Sequence, residues 1–65
     1  MARLIGANFG GADLSHATLR SVYLGYTNMT GSNLWRADFR GAFLYKALLV
    51  RANLIDALLK GAVHF

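Results

Sequence analysis

Ser32-Asn33-Leu34-Trp35-Arg36-Ala37-Asp38-Phe39-Arg40-Gly41 holds two copies of one five-residue unit. Each copy opens on a small residue, Ser32 or Ala37. An amide or carboxylate follows, and then a large apolar side chain, Leu34 or Phe39. Two variable positions close the unit. The same order extends from here to both ends of the chain. Every alanine lies in the small phase: Ala2, Ala7, Ala12, Ala17, Ala37, Ala42, Ala47, Ala52, Ala57 and Ala62. The gaps in that series, Val22, Thr27 and Ser32, are also small. Two residues later come Leu4, Phe9, Leu14, Leu19, Leu24, Met29, Leu34, Phe39, Leu44, Leu49, Leu54 and Leu59. Only His64 breaks this second series. Self-similarity at a fixed period is the signature of a repeat architecture.

A period of five fits neither ordinary element. A helix collects apolar residues at spacings of three and four, and a half-buried strand alternates. On an α-helix, positions five apart drift by about 140° around the axis, so no face gathers the leucines. A chain that turns a quarter every five residues does gather them. Four units then make a square coil of twenty residues. Stacked coils can pair their backbones at about the 4.8 Å spacing of β-strands.

The units Ala7-Asn8-Phe9-Gly10-Gly11, Ala12-Asp13-Leu14-Ser15-His16, Ser32-Asn33-Leu34-Trp35-Arg36, Ala37-Asp38-Phe39-Arg40-Gly41 and Ala52-Asn53-Leu54-Ile55-Asp56 resemble the pentapeptide-repeat family, A-(D/N)-L-x-x. Asp or Asn precedes the central residue at Asn8, Asp13, Asn28, Asn33, Asp38 and Asn53. The resemblance covers the whole chain, Met1 to Phe65. It implies an all-β fold: a right-handed quadrilateral β-helix, a solenoid of about three coils with 20 residues per coil. The small and central residues would point inward and the other three outward. One domain, residues 1–65, is expected. The last third departs from the pattern, with Leu48 and Leu58 in place of Asp or Asn, and Val50 and Ile55 apolar at outward positions. Residues 44–62 also spell an amphipathic helix, and helical C-terminal packing elements occur in the family. The alanine phase favours the coil, with the last third partly helical or capped as the alternative.

Sixty-five residues without cysteine exclude disulfides and cysteine zinc sites. The N-terminal Met-Ala-Arg-Leu-Ile lacks the apolar core of a secretion signal. No run approaches the ~18 apolar residues of a membrane span. A soluble cytoplasmic protein is expected, or one peripheral to a larger or membrane-bound complex. The net charge is +4, with Asp13, Asp38 and Asp56 the only acids.

If twenty residues make a coil, residues twenty apart stack, and sequence becomes surface. Arg20, Arg40 and Lys60 form a basic column. It is either a solvated charged face or a contact for an anionic partner: an acidic protein patch, nucleic acid or an anionic membrane surface. His16, Arg36 and Asp56 form a mixed column in which Arg36 can pair with Asp56. Tyr23 stacks with Phe43. Together with Tyr26, Tyr45, Phe65, Ile5 and Val63 they make an aromatic face edged by Arg3 and Lys46. Exposed patches of this kind mark interfaces. Trp35 stands on another side. Leu48, Val50, Ile55 and Leu58 would form an apolar interface on the C-terminal coil. Solenoids need capping units, and no unit of that kind is visible before Ala2. The open ends are therefore expected to be covered by a homodimer, by another protein or by more chain.

No catalytic, metal or cofactor constellation stands out. Asp13, Ser15 and His16 belong to one unit, and no second set completes a nucleophile–base geometry. Two histidines about fifty residues apart, without cysteine, make no metal site. Gly6, Gly11, Gly31, Gly41 and Gly61 occupy the corner position of their units rather than a phosphate loop. The expectation is a non-catalytic structural and interaction module. Its partner would be a larger protein assembly or a second copy, with no small-molecule substrate. Binding of nucleic acid or an anionic membrane through the basic column is the alternative. The resemblance also brings in the family's topoisomerase-protection proteins, which are acidic rods that imitate DNA. A chain with a charge of +4 has the wrong sign for that role.

Overall fold

The computed structural model describes residues 2–64. Every unit repeats one local plan. The central residue accepts a hydrogen bond from the residue three further on, closing a turn; Ala37 N–H donates to the Leu34 carbonyl at 3.0 Å. The last residue of each unit has φ near +60° to +75°. A positive φ at the third position of such a turn is the type II signature. Between turns a single residue pairs with its counterpart twenty residues on. The nine bridges among the described residues are all parallel and keep this register, from Arg3↔Tyr23 to Phe43↔Val63. The chain is therefore a quadrilateral β-helix of twenty-residue coils. Each side contributes one bridging residue rather than a long strand.

The hydrogen-bond plan explains the repeat's sequence. Of the five amides in a unit, two donate to the following coil: Leu34 N–H to the Asn53 carbonyl (2.8 Å) and Arg36 N–H to the Ile55 carbonyl (3.0 Å). One donates to the preceding coil, Asn33 N–H to the Ala12 carbonyl (2.8 Å). One closes the turn. The fifth, Trp35 N–H, has no backbone acceptor and donates to the Asn33 side chain (3.2 Å). The same local bond recurs at Asn8, Asp13, Asn28, Asp38 and Asn53. Asx residues are thus favoured before the central position because they serve the one amide the solenoid leaves free.

The small phase is small because it is buried against the turn. Ala37 and Ala42 are fully enclosed. Thr27 and Ser32 are enclosed too, and their hydroxyls donate to the Leu24 carbonyl (2.8 Å) and the Met29 carbonyl (2.7 Å). The core lies at mid-chain, where coils stack on both sides: Leu24, Met29, Leu34, Phe39 and Leu44 are buried. Leu4, Phe9, Leu14, Leu19, Leu49 and Leu54 face inward but are only partly covered. Residues 44–62 carry the same bridges and turns as the rest. The amphipathic helix they also spell is not formed, because the register-bound alanines Ala47, Ala52 and Ala57 each close a turn. Near the end His64 takes the central position, and its Nε2 lies 3.1 Å from the Ala47 carbonyl. That ring occupies the acceptor which, elsewhere, a bridging amide from the next coil would use.

Candidate functional site: the outward faces

The outward side chains fall on four faces, named here for their mid-chain core residues. The Leu24 face carries the aromatic residues. Tyr23 and Phe43 bridge directly, and their rings stack with centres 4.9 Å apart. Tyr26 meets Tyr45 edge-on at 5.5 Å. Gly25 lies between these pairs and has no side chain to project. Ile5 is 60% exposed and Tyr26 62%. The edge cations lean over the rings. The Arg3 guanidinium is 5.6 Å from the Tyr23 ring centre, and the Lys46 ammonium 5.7 Å from that of Tyr45. Such contacts contribute about 0.5–1 kcal/mol each on a surface. Tyr23, Tyr26, Phe43 and Tyr45 are therefore assembled on one face. Phe65, the remaining residue expected there, lies outside the described residues.

The Phe39 face carries the basic column, and its chemistry differs from three free cations. Asp38 points to the same face. Arg40 grips it with Nε at 2.9 Å from Oδ1 and Nη2 at 2.7 Å from Oδ2. The Arg20 Nε is 4.0 Å from the same carboxylate. The hydrogen bonds from Arg40 hold the Asp38 carboxyl down at about 2, and the Arg40 guanidinium is pushed up in turn. Asp38 thus occupies the anion position between two members of the column, and among the described residues Lys60 makes no ion pair. The sequence signal was an Asp two residues before an Arg on one side of a coil. A search for partners twenty apart does not find it.

The Leu34 face and its corner hold the mixed column. Arg36 lies 4.0 Å from Asp56, both well exposed, and its guanidinium is 4.9 Å from the Trp35 ring centre. His16 packs edge-on against Trp35 at 4.9 Å. A shallow groove runs past His16, Arg36, Asp56, Ala57 and Leu58. The Ser15 hydroxyl donates to Asp13 at 2.7 Å, which lowers the Asp13 carboxyl. With its hydroxyl hydrogen-bonded to Asp13 and His16 packed on Trp35, Ser15 is not prepared as a nucleophile. No cluster of three metal-ligating residues forms among the described residues.

The apolar residues Leu48 and Val50 project from the Met29 face, Ile55 from the Leu34 face and Leu58 from the Phe39 face. They ring the C-terminal part of the rod, with Val50 61% and Ile55 64% exposed. Leu59, an inward residue, is also exposed.

This geometry of turns, bridges and Asx bonds has a known counterpart. The family model for pentapeptide repeats matches residues 2–36 and 27–63, in eight copies. The chain belongs to the pentapeptide-repeat family. Its fold is that family's right-handed quadrilateral β-helix, a structural repeat. A pentapeptide repeat protein, Rfr23, from the cyanobacterium Cyanothece 51142 is similar at 33% identity with a TM-score of 0.96, over 98% of this chain and 44% of that one. HetL, a pentapeptide repeat protein involved in heterocyst differentiation regulation from Nostoc sp. strain PCC 7120, is similar at 29% identity with a TM-score of 0.55. That match covers 95% of this chain and 40% of HetL. The pentapeptide repeat protein alr5209 from Nostoc PCC 7120 is similar at 39% identity with a TM-score of 0.51, over 94% of this chain and 55% of that one. The chain thus spans roughly half the length, or less, of these solved relatives. No curated protein matches it. Among the described residues, no helix is long and apolar enough to cross a membrane.

Proposed function

We propose that this pentapeptide-repeat chain is a non-catalytic interaction module. It is a short rigid rod of about three coils that docks onto a larger protein assembly or a second copy. The contact residues would be Tyr23, Tyr26, Phe43 and Tyr45 on the Leu24 face, joined by Leu48, Val50, Ile55 and Leu58. One observation carries this reading: large apolar side chains are exposed together at outward positions, Ile5, Tyr26, Phe43 and Tyr45 on one face and Leu48, Val50, Ile55 and Leu58 around the C-terminal part. Exposed patches of that kind on small soluble domains usually mark interfaces. Rigidity adds to the case, since a surface fixed by coil register loses little conformational freedom on binding.

The basic column supports a second, weaker reading. An anionic partner there must compete with Asp38 for Arg20 and Arg40. Native mass in an extract of the source cells tests the first reading, at low salt and at about 0.5 M, where charge contacts are screened. A large complex at both salts, lost on Tyr23→Ala with Phe43→Ala, is the expected result. Release at high salt alone would promote the basic column. A small monomer under every condition would refute docking.

A further inference from the structure

The charges are unevenly divided between the two halves of the square. Arg3 and Lys46 on the Leu24 face, and Arg51 at the far corner of the Met29 face, are three cations with no acid among them. The other two faces hold four cations and all three acids. There the acids are engaged: Asp38 with Arg40 and Arg20, Asp56 with Arg36, and Asp13 with Ser15. Among the described residues, Arg3 and Lys46 make no ion pair. They rest instead over Tyr23 and Tyr45. Two cations without an acid beside them, Arg3 and Lys46, therefore lie on the aromatic face, whereas on the basic column Asp38 engages Arg20 and Arg40 and leaves Lys60.

We infer that the Leu24 face recognises an acidic protein segment, with Arg3 and Lys46 as its charge-reading residues. This rests on the docking function proposed above and specifies the chemistry of the partner. Arg3 and Lys46 mark opposite corners of the face. They lie two coil spacings apart along the axis, about 10 Å, and roughly another 10 Å apart across one side. An extended segment with acids four residues apart spans about 13 Å, close to that diagonal. The residues between the acids would lie over the Gly25 gap, against Ile5, Tyr23, Tyr26 and Tyr45. Aliphatic and proline side chains suit such an aromatic-walled surface. Cations already held over rings lose little freedom when they meet a carboxylate.

The experiment titrates isotope-labelled protein at low salt with acetyl-Glu-Leu-Pro-Leu-Glu-amide, read by amide chemical shifts. Shifts should centre on Arg3, Tyr23 to Tyr26, and Phe43 to Lys46. Arg3→Gln with Lys46→Gln should weaken binding by about tenfold, two surface ion pairs' worth. Lys60→Gln should leave it unchanged. Equal binding of the peptide with Lys at both ends would overturn the inference. So would shifts centred on Arg20, Arg40 and Lys60, or no shifts at millimolar peptide. Binding to vesicles containing phosphatidylglycerol, without binding to the peptide, would replace the acidic segment by lipid and also overturn it. The charge variants separate the two proposals. If Tyr23→Ala with Phe43→Ala releases the natural complex and Arg3→Gln with Lys46→Gln does not, docking stands and the acidic chemistry falls. If neither releases it, the aromatic face is not the docking surface and the acidic chemistry falls with it.

Discussion

Arg40 and Asp38, two residues apart on one side of the square, form a bidentate pair with both contacts under 3 Å. Their unit is Ala37-Asp38-Phe39-Arg40-Gly41, so the residues flanking the buried Phe39 project to the same face. Asp38 does two jobs there. It accepts the Arg40 backbone amide at 3.1 Å, as any Asx residue of the repeat does, and it also holds the guanidinium.

That pair sets a pH dependence. The folded Asp38 carboxyl lies at about 2, below its ordinary value of 3.8. A depressed acid adds stability above its unfolded pKa, and the addition is lost as pH falls through the folded pKa. Thermal stability should therefore decline between about pH 4 and pH 2. Asp13, lowered by Ser15, acts in the same direction. Asp38→Asn keeps an oxygen for the Arg40 amide but removes the charge. Its melting temperature should fall less steeply over that window than that of the parent. Raised salt should shrink the difference, because the pair is exposed to solvent. An identical acid limb in the variant would show that Arg40 does not hold Asp38 in solution.

The corner column Gly11, Gly31 and Arg51 sets up a second test. All three sit at positive φ, +68° at both glycines and 58° at Arg51. A left-handed conformation costs a residue with a Cβ about 1–2 kcal/mol. Glycine avoids that cost but gives up about 0.5–1 kcal/mol through its freer unfolded chain. Arg51→Gly should therefore gain up to about 1 kcal/mol of stability by urea unfolding. Gly31→Ala should, by the same two terms, lose up to about 1 kcal/mol. A Cβ at Gly31 meets nothing within 4 Å, so this loss would be backbone strain and not a clash. A Gly31→Ala variant more stable than the parent would mean that the corner relaxes out of the left-handed region.

Much of the molecule was legible in the sequence because its register is rigid. Once twenty residues make a coil, Tyr23 must lie on Phe43 and Arg36 must lie near Asp56. The buried series Leu24, Met29, Leu34 and Phe39 follows from the same count, as does the placement of Gly31 at a corner. The ends of long, flexible side chains were not legible. Arg40 could reach along its column or turn back to Asp38, and hydrogen-bond geometry decides between them, not spacing. The lean of Arg3 and Lys46 over aromatic rings has the same origin. So does the His64 contact to the Ala47 carbonyl. The charge map of the surface therefore changed, while the twenty-residue register and the placement of Tyr23, Tyr26, Phe43 and Tyr45 on one side follow the count.

The departures at Leu48 and Leu58 allow folding and binding to be separated. Six units use Asn or Asp to satisfy the free amide, but these two leave Val50 N–H and Lys60 N–H without that bond. Leu48 sits on Asn28 and Leu58 on Asp38, so the asparagine of the repeat fits either column. Leu48→Asn with Leu58→Asn should gain roughly 1 kcal/mol per local hydrogen bond. It should lose about as much from two half-covered leucine side chains. The net change in urea unfolding should then stay within about 1 kcal/mol. Leu34→Ala, at a fully buried position, should by contrast cost about 2–5 kcal/mol. If the C-terminal apolar belt is an interface, the double variant should also lower the mass of the native complex, because two of its four apolar contacts become polar. Unchanged stability with unchanged association would remove Leu48 and Leu58 from the interface and leave the aromatic face as the remaining docking surface.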